Sequence, residues 1–301
     1  MTGSSQKKQL ELGIQRLHEN DRNYCLGGRS FYFFDFDDNI AFLSTPLILF
    51  HKETGAELRV SSGEYAKIHP FIGRSGPYRN YETRLDDETG TYRNFRDLQF
   101  SELEKIEGKK QFFVKDLAEA LGFPDVQWKG PSWQCFYHAT FNRRPISVIT
   151  ARGHHPETLK EGIRLLVDGQ FLPHEPNYLS LFPVNYKPTR HLLGDKDLSM
   201  SAAELKQKAI RASVEKAIEL YGHNSHHRFG MSDDDPKNIQ LIAEEMSRLK
   251  ADYAEMSFFL IATHEGGFVK YEITSQGIES KVGEGTPEDQ LKLFDVDRHK
   301  S

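Results

Sequence analysis

FYFFDFDDNI, residues 31–40, runs four aromatic side chains straight into a cluster of acids. Phe31 to Phe34 form a short continuous apolar run, the mark of a strand buried on both faces. Ionised carboxylates avoid low-dielectric surroundings unless they are paired, hydrogen-bonded or bound to a metal, and crowded carboxylates repel one another. Asp35, Asp37 and Asp38 at the end of such a strand therefore await positive charge. Alternation along an extended chain puts Asp35 and Asp37 on the same side. A calcium loop does not fit: counted from Asp35, the sixth position is Ile40 rather than Gly, and the twelfth is Pro46 rather than Glu.

Outward from this stretch, apolar strands alternate with helices. Ile146–Ile149 in RPISVITARG is a second buried strand, ending at Thr150. HPETLKEGIRLLVDG follows as a helix, and YLSLFPV is a third strand. SAAELKQKAIRASVEKAIELYG is a long helix with Ser201 as cap, Glu204 as capping-box partner and Gly222 as stop. HRFGMSDDD is a fourth strand running into acids, PKNIQLIAEEMSRLK the helix after it, and MSFFLIAT a fifth strand. This alternation predicts an α/β fold, a three-layer Rossmann-like core with a mainly parallel sheet and right-handed crossovers. Ligands of such sheets bind beyond the carboxyl ends of the strands. Asp35, Thr150 and Asp233–Asp235 all sit there, and they converge if their strands are neighbours.

Residues 5–20 predict an amphipathic helix, with Leu10, Ile14 and Leu17 on one face. PLILFHKETGAELRV, residues 46–60, predicts a hairpin turning around Thr54 and Gly55. Composition changes over residues 61–110, which are rich in Gly, Arg, Tyr and acids and show little periodicity. Residues 113–121 predict a helix, and another opens at Pro131 or Ser132. The expected organisation is a core of residues 1–45 and 131–301 with an inserted, cap-like region at 46–130.

Of the 301 residues, 38% are hydrophobic and 28% charged, as suits a globular chain, and the net charge of -5 argues against a broad nucleic-acid surface. Cys25 and Cys135 lie far apart without a CxxC partner, so neither a zinc site nor a disulfide framework is expected. No apolar signal core or stretch of spanning length appears, and a cytoplasmic location is the expectation.

Several carboxylates, a hydroxyl and a lysine suit a hard divalent cation and an anionic substrate. Mg²⁺ takes one or two carboxylates plus a phosphate and retains water. The motifs resemble those of the haloacid dehalogenase-like phosphohydrolases. FFDFDDNI resembles their first motif, an apolar strand followed by Asp-x-Asp. ISVITARG resembles the second, a strand ending in Thr or Ser, and FGMSDDDPKNI the fourth, an acidic loop opening a helix. The long helix between them carries the lysine of the third. The resemblance covers roughly residues 29–45 and 132–263. The family usually has Thr or Val where this chain has Asn39.

The resemblance implies roles. Asp35 would be the nucleophile that becomes an aspartyl-phosphate. Asp37 would protonate the leaving oxygen and then activate water. Mg²⁺ would be held by the Asp35 side chain, the Asp37 backbone carbonyl and a fourth-motif acid, with Asp234 preferred and Asp233 and Asn238 as alternatives. Thr150 would hydrogen-bond the phosphoryl group, and a lysine would offset its charge. Lys206 and Lys208 lie two residues apart on one helix, so only one can face the site; Lys208 is the expected one. Arg152 would bind substrate phosphate or cap a neighbouring carboxylate, and Asn238 is a further candidate for contact with the substrate.

A phosphorylated small molecule is the expected substrate. The Arg/Tyr-rich segment 73–97 and the Asn142-Arg143-Arg144 turn leave open a phosphatase acting on nucleic-acid ends. A fold kept as a weakly catalytic binding or regulatory module is a further alternative. His154, His155, His223, His226 and His227 match no familiar metal-ligand spacing.

Overall fold

The computed structural model describes residues 17–86, 88–264, 267–275 and 277–285. The expected helix at 5–20 falls mostly outside them, and residues 17–20 are not helical. In chain order the strands are β1 (Ser30–Phe34), β2 (Leu47–His51), β3 (Glu57–Val60), β4 (Tyr81–Glu82), β5 (Pro145–Thr150), β6 (Asn177–Pro183), β7 (Arg228–Asp233), β8 (Ser257–His264), β9 (Gly267–Thr274) and β10 (Gly277–Gly285). The helices are α1 (Ser62–Ile68), α2 (Glu102–Ile106), α3 (Phe112–Ala120), α4 (Asp125–Trp128), α5 (Trp133–Phe141), α6 (Pro156–Asp168), α7 (Lys187–Leu192), α8 (Ala202–Tyr221) and α9 (Pro236–Asp252).

Among the described residues, seven strands form one sheet in the order β10-β9-β8-β7-β1-β5-β6. The pairs from β8 through β6 are parallel, and β9 and β10 add antiparallel strands at one edge. The chain first builds outward from β1 to β5 and β6, then crosses back to place β7 and β8 on the other side. β1 and β7 therefore flank the point where the winding reverses, the usual ligand crevice of such sheets.

The aromatic run of β1 divides between the two faces. Phe31 and Phe33 join Phe229, Met231, Leu205 and Ile242 under α8 and α9, while Tyr32 and Phe34 join Phe136, Val148 and Ile163 under α5 and α6. Helices on both faces explain why β1 and β5 read as unbroken apolar runs. The predicted capping box is present: Ser201 Oγ accepts from Glu204 N, and Glu204 reaches back to Ser201 N.

Residues 46–95 build a smaller sheet, ordered β3-β2-β4, over a separate apolar cluster that includes Leu47, Leu49, Val60, Tyr65 and Phe95. The hairpin at 46–60 forms as its pattern predicts. Residues 112–128 do not belong to that cluster. Phe113, Leu117 and Trp128 pack with Phe36, Ile163 and Leu166 in the main core. Periodicity identifies α3 as a helix but does not say which core its apolar face meets; the expected cap-like stretch 46–130 includes a helix that packs with the strands of the large sheet.

Candidate active site

The loop after β1 turns sharply. Ile40 N and Ala41 N both donate to Phe36 O, Asp38 N donates to Ala41 O, and Asp38 takes a left-handed φ of 57°. Asn39, fully buried, stitches this loop to three other elements. Its Nδ2 donates to Asp35 O, Ser232 O and Ser232 Oγ, and its Oδ1 accepts from Ser132 Oγ and Thr263 Oγ1. A Thr or Val could not serve all these partners. Asn39 thus joins the C-terminal end of β1 to β7, β8 and the start of α5.

Asp35 lies at the end of β1, and its amide donates to Ser232 O on β7. Its carboxylate is buried beside Asp233 and Asp234, with ligand atoms of all three within 4.8 Å of one another. Asp35 Oδ2 meets Lys206 Nζ at 3.2 Å, whereas Oδ1 is buried without a hydrogen-bond partner among the described residues. Burial above all, with Asp233, Asp234 and Asp37 nearby, outweighs Lys206 and holds the Asp35 carboxyl well above the usual carboxylate range. Burial, then Asp233 and Asp38, push Asp234 up to about 7.

Asp233 is more fully engaged. Lys206 reaches its Oδ2 at 2.7 Å, while Asp235 N and Asn238 Nδ2 donate to its Oδ1. Burial works against the Lys206 ammonium, but Asp233 and Asp35 outweigh it and raise its pKa. Lys206 is therefore the lysine of the site. Lys208, the expected one, is exposed and lines a surface groove with Glu204 and Arg211. The deciding signal is helical periodicity: Lys206 shares the buried stripe of Ala203, Ala209, Ile210, Ser213 and Ala217.

Asp37 faces different partners. Arg152 Nε lies 2.9 Å from its Oδ2, Arg152 Nη2 lies 2.6 Å from its Oδ1, and Thr150 Oγ1 donates to Oδ2 at 3.4 Å. Arg152 is 0% exposed, and its Nη2 also donates to Thr45 Oγ1, which in turn donates to Asp116 on α3. Its guanidinium is thus committed to a carboxylate, which answers the open choice at this position against a substrate contact. Asn238 likewise supports Asp233 rather than extending toward a substrate. His154, buried next to Arg152, has its pKa lowered to about 2 by burial first and by that arginine second, so its ring is neutral.

Four carboxylates, Asp35, Asp37, Asp233 and Asp234, face two buried cations, Lys206 and Arg152, which leaves a formal charge of -2 before Asp38 is counted. The orphaned Asp35 oxygen and the raised Asp35 and Asp234 carboxyls fit a hard divalent cation with oxygen ligands. No family model, curated protein or solved structure matches the chain. A cleft of about 680 Å³ opens on the same edge of the sheet, between Arg93–Phe100 and the loops after β5 and β6, with Gly153, Tyr186 and Lys187 in its walls. No helix among the described residues is long and apolar enough to cross a membrane.

Proposed function

We propose that the protein is a Mg²⁺-dependent phosphomonoester hydrolase of the haloacid dehalogenase-like type, acting through an aspartyl-phosphate on Asp35. The observation that carries this reading is the buried Asp35 carboxylate at the winding reversal, with one oxygen facing Lys206 and the other claimed by no described group. In this reading Asp35, Asp234 and the Asp37 backbone carbonyl would hold the ion, and Asp233 would hold Lys206 in place. When bound, Mg²⁺ would offset the carboxylate charge and polarise a phosphoryl oxygen.

The chain's own residues perform the remaining steps. An Asp35 oxygen forms a bond to phosphorus as the ester P–O bond breaks, and Asp37, entering the step in its protonated form, delivers that proton to the leaving oxygen. Lys206 would offset charge on the transferring group, and the Thr150 hydroxyl would turn from Asp37 to hydrogen-bond a phosphoryl oxygen. Water then attacks phosphorus, Asp37 takes its proton, and Asp35 and inorganic phosphate are released. The cleft beside Gly153 would take the alcohol half of the substrate; its position at the carboxyl ends of β5 and β6 supports this.

Hydrolysis of p-nitrophenyl phosphate, with and without MgCl₂, tests the reading on the wild type and Asp35→Asn. Mg²⁺-dependent turnover that Asp35→Asn abolishes is expected. Equal background activity in both proteins would end the proposal.

A further inference from the structure

Residues 95–97 run along the loop after β5. Phe95 O accepts from Gly153 N at 2.8 Å, and Arg96 pairs with Gly153 in an isolated parallel bridge. The approach is close enough to favour glycine: a Cβ at residue 153 would lie 3.2 Å from Arg96 Cγ and 3.1 Å from Asn185 O. Asp97 Oδ2 accepts from His155 N at 2.9 Å and Thr158 Oγ1 at 3.1 Å, which ties the segment to the N-terminus of α6. Residues 95–97 are thus strapped along the loop that carries Arg152.

Arg152 is what this strap covers. Its guanidinium carbon lies 4.8 Å from the centroid of the Phe95 ring and 4.8 Å from that of Phe113. Its Nε and Nη2 are taken by Asp37 and Thr45, while Nη1 is buried without a hydrogen-bond partner among the described residues. A guanidinium bound at one edge, and in contact with two rings, has little freedom to change rotamer. Asp37 can hold one orientation only while Arg152 holds one, and Phe95 is the contact that the insertion supplies.

We propose that the Phe95–Asp97 strap is a positioning device for Asp37: Phe95 fixes Arg152, and Arg152 fixes the carboxylate that serves the leaving oxygen. Phe95 is a positioning residue, acting through Arg152. The consequence for turnover rests on the phosphatase reading; the mechanical link does not.

Two measurements test it. The first compares kcat/KM, which covers the steps through formation of phospho-Asp35, for an alkyl ester, glycerol 2-phosphate, and for p-nitrophenyl phosphate. Proton donation by a placed acid contributes roughly 10²–10⁴-fold, and p-nitrophenolate leaves with little need of it. Phe95→Ala is expected to lose about tenfold more on the alkyl ester than on the aryl ester, with Phe95→Tyr restoring most of the loss. The second follows the Arg152 Nε–H resonance by NMR. In the wild type it should show the ring-current shift of an arginine packed against two phenyl rings and slow exchange with water. In Phe95→Ala it should move and exchange faster. Where Phe95→Ala does not fold, Phe95→Leu keeps much of the apolar bulk and removes the aromatic face. Equal losses on both esters, or an unchanged Arg152 resonance, would overturn the proposal. A wild type that hydrolyses neither ester refutes the phosphatase reading, and the NMR comparison then decides the strap alone.

Discussion

Lys206 has 1% of its side chain exposed and binds two carboxylates, at 2.7 and 3.2 Å. Removing one partner from a buried charge cluster is far more costly than removing a surface ion pair, because the remaining charges lose their compensation; losses of about 3–5 kcal/mol are typical. Lys206→Met is therefore expected to lower the melting temperature and to cut Mg²⁺-dependent phosphatase activity by at least ~10²-fold. Lys208→Met, at an exposed position, should leave both near wild type; thermal melts and steady-state rates on the two variants check the assignment. A damaging Lys208→Met beside a harmless Lys206→Met would reverse it. Both lysines are equally visible in the sequence. The choice between them is written only in the apolar stripe of α8, because a rotation of about 200° separates residues two apart on a helix. The role of Asn39 was legible only as a departure from the Thr or Val usual in the resembling family. Its side chain makes five hydrogen bonds among the described residues, reaching as far as Thr263, and no local pattern encodes them.

α3 and α6 meet where the Phe113 ring of α3 lies directly against Gly162 of α6. A Cβ at Gly162 would come within 2.6 Å of Phe113 Cδ1, and Phe113 is itself fully buried. Helix propensity alone favours Gly162→Ala by up to about 1 kcal/mol. Overpacking a filled core costs about 1–3 kcal/mol, and the clash falls on a ring fixed among Phe36, Ile163 and Arg152. The expected outcome is a net loss of stability, read as a lower denaturation midpoint in urea. A midpoint at or above wild type would mean that α3 can shift at small cost. The helices and strands of the core were legible as elements, since α6, α8 and α9 carry helical periodicity and β1 and β5–β8 are short apolar runs between turn and cap residues. β9 was not, because it follows β8 antiparallel with no helix between them and so lies outside the strand–helix alternation that marks the parallel core.

At the scale of the whole molecule, the site opposes folding until its charge is met. Asp234 titrates at about 7 in the folded protein, against about 3.9 for an unfolded aspartate. Between those values the native state keeps a proton that the unfolded chain has lost, so this group lowers stability as pH rises from about 4 to about 7. Asp234→Asn is expected to raise the melting temperature at pH 8 in EDTA, since a repelled, largely buried carboxylate becomes neutral. If the proposed Mg²⁺ site exists, MgCl₂ raises the melting temperature of the wild type by binding the native state, and the same change should shrink that increment. Calorimetry of both proteins, with EDTA and with MgCl₂, reads the two effects. A lower melting temperature for Asp234→Asn in EDTA, together with an undiminished Mg²⁺ increment, would remove Asp234 from the metal site.

Local pattern by itself determined the α/β class, the parallel core and the placing of Asp35, Thr150 and Asp233 at strand ends, because strand and helix periods and capping residues are properties of neighbouring residues. Only the tertiary structure decided which lysine meets Asp35 and Asp233, that Arg152 is spent on Asp37, that α3 belongs to the main core, and that Phe95 reaches across to the loop after β5. Those outcomes depend on the directions of side chains and on contacts between segments far apart in the chain, which are set by how the layers pack and by no run of adjacent residues.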